Sequence, residues 1–292
     1  MVARVADLSR MRVTPPSFIQ DSRRSSEEDD LDLGLKDRVA IVAGGSRGIG
    51  KACAKEMLAE GAFVVLVSKN PDINAAAVRD LGKLHPGRVL GVPTDLADDA
   101  AIAAMTTQVV ERYGRIDILV NSAATVIPQD FFKMGDGQLT NLLDQKFNPA
   151  ARCIRHAVPN MRKRKWGRII NIAGLAGRQP HFTVVPAALN NSAMLNLTKA
   201  LAAELAKDNI LVNAVVPYII DTERQEETMR EWAQMTGQAE AEVRKQRVSR
   251  LPVGRMGRPD EVAAVVAFMA SERSSYVVGT AWYVDGGGSM TL

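Results

Sequence analysis

Cysteine is scarce in this chain: two in 292 residues, Cys53 and Cys153. Both sit inside apolar helical patterns without metal-ligating neighbours. That excludes a disulfide framework and a thiolate metal site, and it reads as buried thiols in a reducing compartment. No metal is expected. No apolar run approaches the ~20 residues needed to cross a bilayer. The first residues lack the apolar core of a secretory signal, so the expected compartment is the cytoplasm. Charge of one sign is missing too: the net charge is +4, with basic and acidic residues mixed. The densest basic run, Arg162-Lys163-Arg164-Lys165, reads as a solvated helix end rather than a nucleic-acid surface. Neither nucleic acid nor membrane is an expected partner.

What is present is regular. Residues 1–35 form a polar segment with the run Ser22-Arg23-Arg24-Ser25-Ser26-Glu27-Glu28-Asp29-Asp30, and they are expected to be a mobile arm or a segment that docks on a neighbouring subunit. From residue 36 short apolar runs alternate with helical patterns. Strands are expected at Val39–Ala43, Phe63–Val67, Arg88–Pro93, Asp117–Val120, Arg168–Ile172, Ile210–Val215 and Ala281–Val284. Helices are expected around 49–60, 72–82, 99–113, 137–162 and 187–207, with two more at 223–235 and 238–247. Apolar strands separated by helices predict an α/β domain: a parallel sheet covered on both faces, over residues 36–292. There is no internal repeat.

Ala43-Gly44-Gly45-Ser46-Arg47-Gly48-Ile49-Gly50 joins the first strand to the first helix. Glycines there allow a sharp turn and let the backbone approach a pyrophosphate, whose charge the helix N-terminus then meets with free N–H groups. The strand–turn–helix setting makes this a Rossmann-type dinucleotide turn. An acid at the end of the second strand would bind the free ribose hydroxyls of NAD. This chain has Ser68-Lys69-Asn70 instead. Lys69 and Arg47 are placed to meet an extra 2′-phosphate, which favours NADP(H) over NAD(H).

With these motifs the chain resembles the classical short-chain dehydrogenases/reductases, from about Leu35 to Gly287. The resemblance rests on the glycine turn (Ala43 where Thr is usual), Asp95-Leu96, Asp117-Ile118-Leu119-Val120-Asn121-Ser122-Ala123-Ala124, Val212-Asn213-Ala214-Val215-Val216-Pro217, Gly254-Arg255-Met256-Gly257-Arg258-Pro259-Asp260-Glu261-Val262-Ala263 and Val284-Asp285-Gly286-Gly287. It implies a doubly wound seven-stranded parallel sheet and a homodimer or homotetramer. It also implies a cofactor held by Gly44, Ser46, Arg47, Gly48, Ile49, Gly50, Lys69, Asp95, Leu96, Asn121 and Ala123, with Pro217, Ile220 and Thr222 at the nicotinamide end.

The family's chemistry needs a Tyr followed four residues later by a Lys, and this chain has no such pair. The positions four beyond Tyr113, Tyr218, Tyr276 and Tyr283 are Asp117, Thr222, Thr280 and Gly287. In the family the Lys charge pulls the phenol toward the working pH, a Ser holds the substrate oxygen and an Asn keeps a water in the proton relay. Motif spacing puts the Ser, Tyr, Lys and Asn positions on Gly174, Ala187, Asn191 and Lys146. Lys146 and Asn191 thus exchange residue types, keeping one ammonium and one amide in the same pocket. Lys146 is expected to bind the nicotinamide ribose, to act as an acid, or to snorkel to solvent or a subunit interface. Tyr218 stands where the family has Gly after Pro, as a proton donor near the reacting ring or as a hydrophobic wall. His181, in the loop after Gly177, is a third acid/base candidate or a structural histidine.

Residues 222–250 are the segment that covers substrate in the family. The expected activity is an NADP(H)-dependent oxidoreductase acting on a small carbonyl or alcohol through a rearranged site. A catalytically silent cofactor-binding subunit and a non-redox lyase or isomerase are the alternatives.

Overall fold

In the computed structural model, residues 31–124 and 131–290 are described. Seven parallel strands form one sheet: β1 (Val39–Ala43), β2 (Phe63–Ser68), β3 (Val89–Pro93), β4 (Ile118–Asn121), β5 (Gly167–Ile172), β6 (Ile210–Pro217) and β7 (Ala281–Val284). Their order across the sheet is β3-β2-β1-β4-β5-β6-β7. β1, β5 and β6 are buried along their whole length. A strand covered on both faces is apolar at every position rather than at alternate ones, which is why these runs were continuous in sequence.

One face carries α1 (Gly48–Ala59), α2 (Pro71–Leu84) and α9 (Pro259–Ala270), through Met57, Leu81, Val266 and their neighbours. The other carries α3 (Asp99–Tyr113), α5 (Phe147–Arg164) and α6 (Val185–Ala206), through Ile102, Met161, Leu205 and theirs. Cys53 and Cys153 are both buried and unpaired, one under each face, and desolvation pushes each thiol up to about 12. Leu33 and Leu35, which the sequence reading left in the arm, are buried in the first of these clusters. Between α6 and α9 lie α7 (Glu223–Thr236) and α8 (Glu240–Val248). Met229, Ala233 and Val243 pack these two helices into a small core of their own.

Two elements depart from the sequence reading. α9 was not foreseen: Pro259 opens it at a position where a missing N–H costs nothing, and Glu261 accepts the N–H of Arg258 at 2.7 Å. The helices expected around 137–162 are present, but Lys146, expected on one of them, falls between two. α4 (Asp136–Thr140) is short, a 3-10 turn covers Leu142–Gln145, and α5 begins only at Phe147. Pro149 falls in the first turn of α5, where its missing N–H leaves no intrahelical bond unmade. Lys146 is the cap residue before α5, at φ −157° and ψ −52°, and not part of a helix.

Among the described residues no helix is long and apolar enough to cross a membrane, and no cluster of His, Cys, Asp and Glu has a metal-binding arrangement.

Candidate active site

The strand order reverses between β1 and β4, the place where α/β sheets open a crevice beyond their carboxyl ends. A cleft of about 590 Å³ lies there. Its lining crosses the sheet strand by strand: Thr94 after β3, Ser68 at the end of β2, Gly44 after β1, Ser122 after β4, Ile172 at the end of β5 and Pro217 at the end of β6. Six strands at about 4.8 Å spacing give a trough roughly 24 Å long.

The glycine turn is built for close approach. A Cβ on Gly50 would sit 2.1 Å from the Gly44 carbonyl oxygen, and one on Gly44 would sit 2.6 Å from the Ala123 nitrogen. Gly44 also holds φ +81°, where a side chain is strained. Arg47 precedes α1 without a capping side-chain bond, so the first amides of the helix are left for a ligand.

At the β2 end of the cleft, Lys69 Nζ lies 2.7 Å from Asp95 Oδ2. The Lys69 hydrogen bond, joined by the Ala97 amide, holds the Asp95 carboxyl below its ordinary range. Arg47 lies 3.5 Å from Glu227 on α7, so the glycine turn and the covering helix meet through an ion pair. Glu227 also accepts from Arg224, a third basic residue lining the cleft. Neither Glu227 nor Arg224 was foreseen. The pairing of Glu227 with a turn nearly two hundred residues away leaves no local sequence signal.

At the β5–β6 end the cleft reaches Lys146, Gly174 and Pro217. Lys146 is 8% exposed. Its Nζ donates to Asn191 Oδ1 at 2.7 Å, and the same oxygen accepts the Gly174 N–H at 2.8 Å. Desolvation lowers the Lys146 ammonium from 10.5 to about 8. Ala187 lies one helical turn before Asn191 on α6, so both share a face of the helix. Gly177 lets the loop after β5 rest on Asn191, since a Cβ there would meet the Asn191 carbonyl carbon at 2.7 Å.

Asn190, which the sequence reading passed over, fixes the other side of the same junction. It accepts from Phe147 N at 3.1 Å and donates to Leu142 O at 2.9 Å. Phe147 N is one of the amides at the start of α5 that lack an intrahelical partner, and Asn190 satisfies it. Two adjacent asparagines thus hold the backbone after Lys146 and its side chain.

Most of the expected cofactor residues line the cleft: Gly44, Ser46, Arg47, Gly48, Ile49, Gly50, Lys69, Asp95, Leu96, Ala123, Pro217 and Thr222. Asn121 and Ile220 do not. Asn121 is buried and donates to Asn171 Oδ1 at 2.8 Å, while Ile220 packs into the core with α1 and α9. Tyr218 also lies outside the cleft lining. It packs between the β5–β6 core and the α7–α8 core, against Gly288. His181 is exposed, and its ring lies 4.6 Å from that of Phe182, tilted by 38°. The structure therefore brings Lys146, Asn191 and Gly174 together and leaves Tyr218 and His181 out of that group.

A glycine turn at the sheet's reversal point, with an open helix N-terminus and a trough across six strands, defines a nucleotide-binding α/β protein of the doubly wound class. Residues 43–289 match the family described as enoyl-(acyl carrier protein) reductase, and the chain belongs to that family, within the short-chain dehydrogenases/reductases. It is 34% identical over 255 residues to a 3alpha-hydroxysteroid dehydrogenase of Mediterraneibacter gnavus, covering 86% of this chain and 97% of that one. It is 29% identical over 259 residues to the NADPH-dependent reductase BacG of Bacillus subtilis, covering 88% and 100%. Among solved structures, the L-sorbose reductase of Gluconobacter frateurii complexed with NADPH and L-sorbose superposes with a TM-score of 0.84 at 33% identity, covering 90% of this chain and all of that one.

Proposed function

We propose that the protein is an NADP(H)-dependent oxidoreductase acting on a small carbonyl or alcohol compound, through a catalytic set in which Lys146, Gly174, Ala187 and Asn191 stand at the family's Asn, Ser, Tyr and Lys positions. The observation that carries this reading is Lys146 itself: a buried ammonium lining the cleft and lowered to about 8, where it exchanges protons near neutral pH.

The residues present fit the cofactor. Gly44 and Gly50 clear the backbone for a pyrophosphate, and the start of α1 offers its amides. Arg47 and Lys69 are the residues for a 2′-phosphate, which would displace the carboxylates of Glu227 and Asp95 from them. Two of the three relatives above are described with NADPH. When bound, NADP(H) supplies or takes up a hydride. Lys146 holds the substrate oxygen or the ribose and gives or recovers the proton. Asn191 orients the ammonium, and Gly174 leaves room beside it.

NADPH absorbance, followed with purified protein and a panel of ketones, enones and aldehydes, tests the reading. Consumption that collapses in Lys146→Met supports it. Steady absorbance despite tight NADPH binding sinks it for that panel. That second outcome would favour a cofactor-binding subunit without turnover, a reading supported by the absence of any Tyr or His among the described residues lining the cleft. The resemblance also makes a homodimer or homotetramer the proposed assembly, which sedimentation measures directly.

A further inference from the structure

Lys146 is a buried cation without a counter-charge among the described residues. Its one hydrogen bond among the described residues goes to a neutral amide, Asn191 Oδ1. Burial alone moves its ionisation, and no neighbouring charge offsets it. Asp144, two residues earlier, also lines the cleft, but its carboxylate accepts from Asn148 Nδ2 at 2.7 Å and lies 3.7 Å from Arg152. From α6 the facing group is Asn191 and from the loop after β5 it is Gly174, both neutral. An ammonium carries three N–H donors, so among the described residues two remain unspent beside the cleft.

A buried, uncompensated charge is costly, and an anion brought by a ligand offsets that cost in a medium where the attraction is strong. The kind of anion is set by basicity. A ketone oxygen gains only a hydrogen bond. An alkoxide is so basic that it takes the proton outright. An oxygen whose charge spreads into a ring or a double bond persists as an anion beside an ammonium, and it forms a charge-assisted hydrogen bond.

The geometry points to Lys146, set by Asn191, as an anion-binding floor of the substrate site, selective for ligands that present a conjugated oxyanion: phenolates and the enolates of enolisable carbonyl compounds. This deepens the oxidoreductase reading and rests on it for the word substrate, while the binding itself needs no turnover. A phenol that docks there loses its proton to solvent, and its oxygen receives hydrogen bonds from the ammonium.

The probe is 4-nitrophenol, whose anion absorbs visible light, with 4-nitroanisole as the analogue that cannot ionise. Both are titrated against the purified protein from about pH 6 to about pH 9.5, across the ionisation of the probe and of a lysine lowered by burial. The expected result is saturable binding of the anion, at least about tenfold tighter than the anisole, equivalent to about 1.4 kcal/mol. Binding should weaken as the pH rises through 8, where Lys146 loses its charge. Lys146→Met should abolish the preference. Asn191→Asp should do the same by placing a carboxylate beside the ammonium without changing the size of the side chain. Lys163→Met, remote on the end of α5, should keep it. Equal binding of phenol and anisole, or an unchanged preference in Lys146→Met, overturns the inference. NADPH binding is measured on the same samples. Bound NADPH without phenolate preference removes this inference alone, whereas failure to bind NADPH removes the cofactor reading whatever the phenolate does.

Discussion

Lys146 Nζ and Asn191 Oδ1 are 2.7 Å apart, one at the cap of α5 and the other on the first turns of α6. The pair joins two elements across the mouth of β5 and fixes the only ammonium among the described residues that is both buried and part of the cleft. Its energetic sign follows from burial. A lysine whose folded ionisation is lowered, from 10.5 to about 8, binds fewer protons folded than unfolded between those values.

Stability should therefore rise as pH climbs from 8 toward 10.5, as the penalty of the buried charge fades. Lys146→Met should remove that slope and raise stability at neutral pH, by an amount bounded at about 3 kcal/mol. Urea unfolding of both proteins at a series of pH values checks this. A variant that loses stability at neutral pH contradicts it.

Gly50→Ala should damage the cofactor end. The added carbon falls 2.1 Å from the Gly44 carbonyl oxygen, and backbone must move to admit it. Overpacking of this kind costs about 1–3 kcal/mol. NADPH affinity, read by fluorescence, should fall at least about tenfold, equivalent to 1.4 kcal/mol.

Arg47→Ala and Lys69→Ala should separate the two nicotinamide cofactors. Each removes a charged donor worth about 1.5–3 kcal/mol to a phosphate. NADPH affinity should drop roughly tenfold to a hundredfold per variant, with little change for NADH. Glu227→Gln, which frees Arg47, should tighten NADPH instead.

Asp117→Asn should destabilise the sheet. Asp117 is fully buried, accepts from Val39 N at 2.8 Å and takes two bonds of 2.6 Å from Arg115. Asn keeps one acceptor oxygen and turns an N–H2 toward the remaining donors, at a cost of roughly 2–4 kcal/mol. Thermal unfolding with NADPH absent reads the loss without interference from ligand.

Tyr218→Phe and His181→Ala should leave NADPH affinity within about twofold, because neither side chain lines the cleft. A large loss in either would mean that the site extends beyond the cleft described.

The sequence carried most of the frame because local chemistry sets it. Continuous apolar strands, the glycine turn with its Arg47, and Lys69 after β2 were all readable from neighbouring residues. The exchange of Lys146 and Asn191 was readable too, though not their direct bond, which depends on Lys146 standing before α5 rather than on it. What escaped depends on distance in sequence. Glu227 reaches Arg47 from α7, and Asn190 reaches Phe147 from α6. α9 escaped for another reason, since its opening Arg258-Pro259 resembles a loop until Glu261 is seen returning to Arg258 N.

One hydroxyl on α6 sets the sense of every amide in a line that crosses to β4. Thr198 Oγ1 donates to Met194 O at 2.8 Å, so toward the sheet it accepts, from Asn171 Nδ2 at 2.9 Å. That turns Asn171 Oδ1 toward Asn121, which answers with Nδ2 at 2.8 Å. The line reads in one direction only, like a row of arrows, and Thr198 is its first arrow. In Thr198→Val the row loses its heading: both asparagines become free to reverse, and a substitution on a helix is felt as uncertainty two strands away, at the buried last residue of β4.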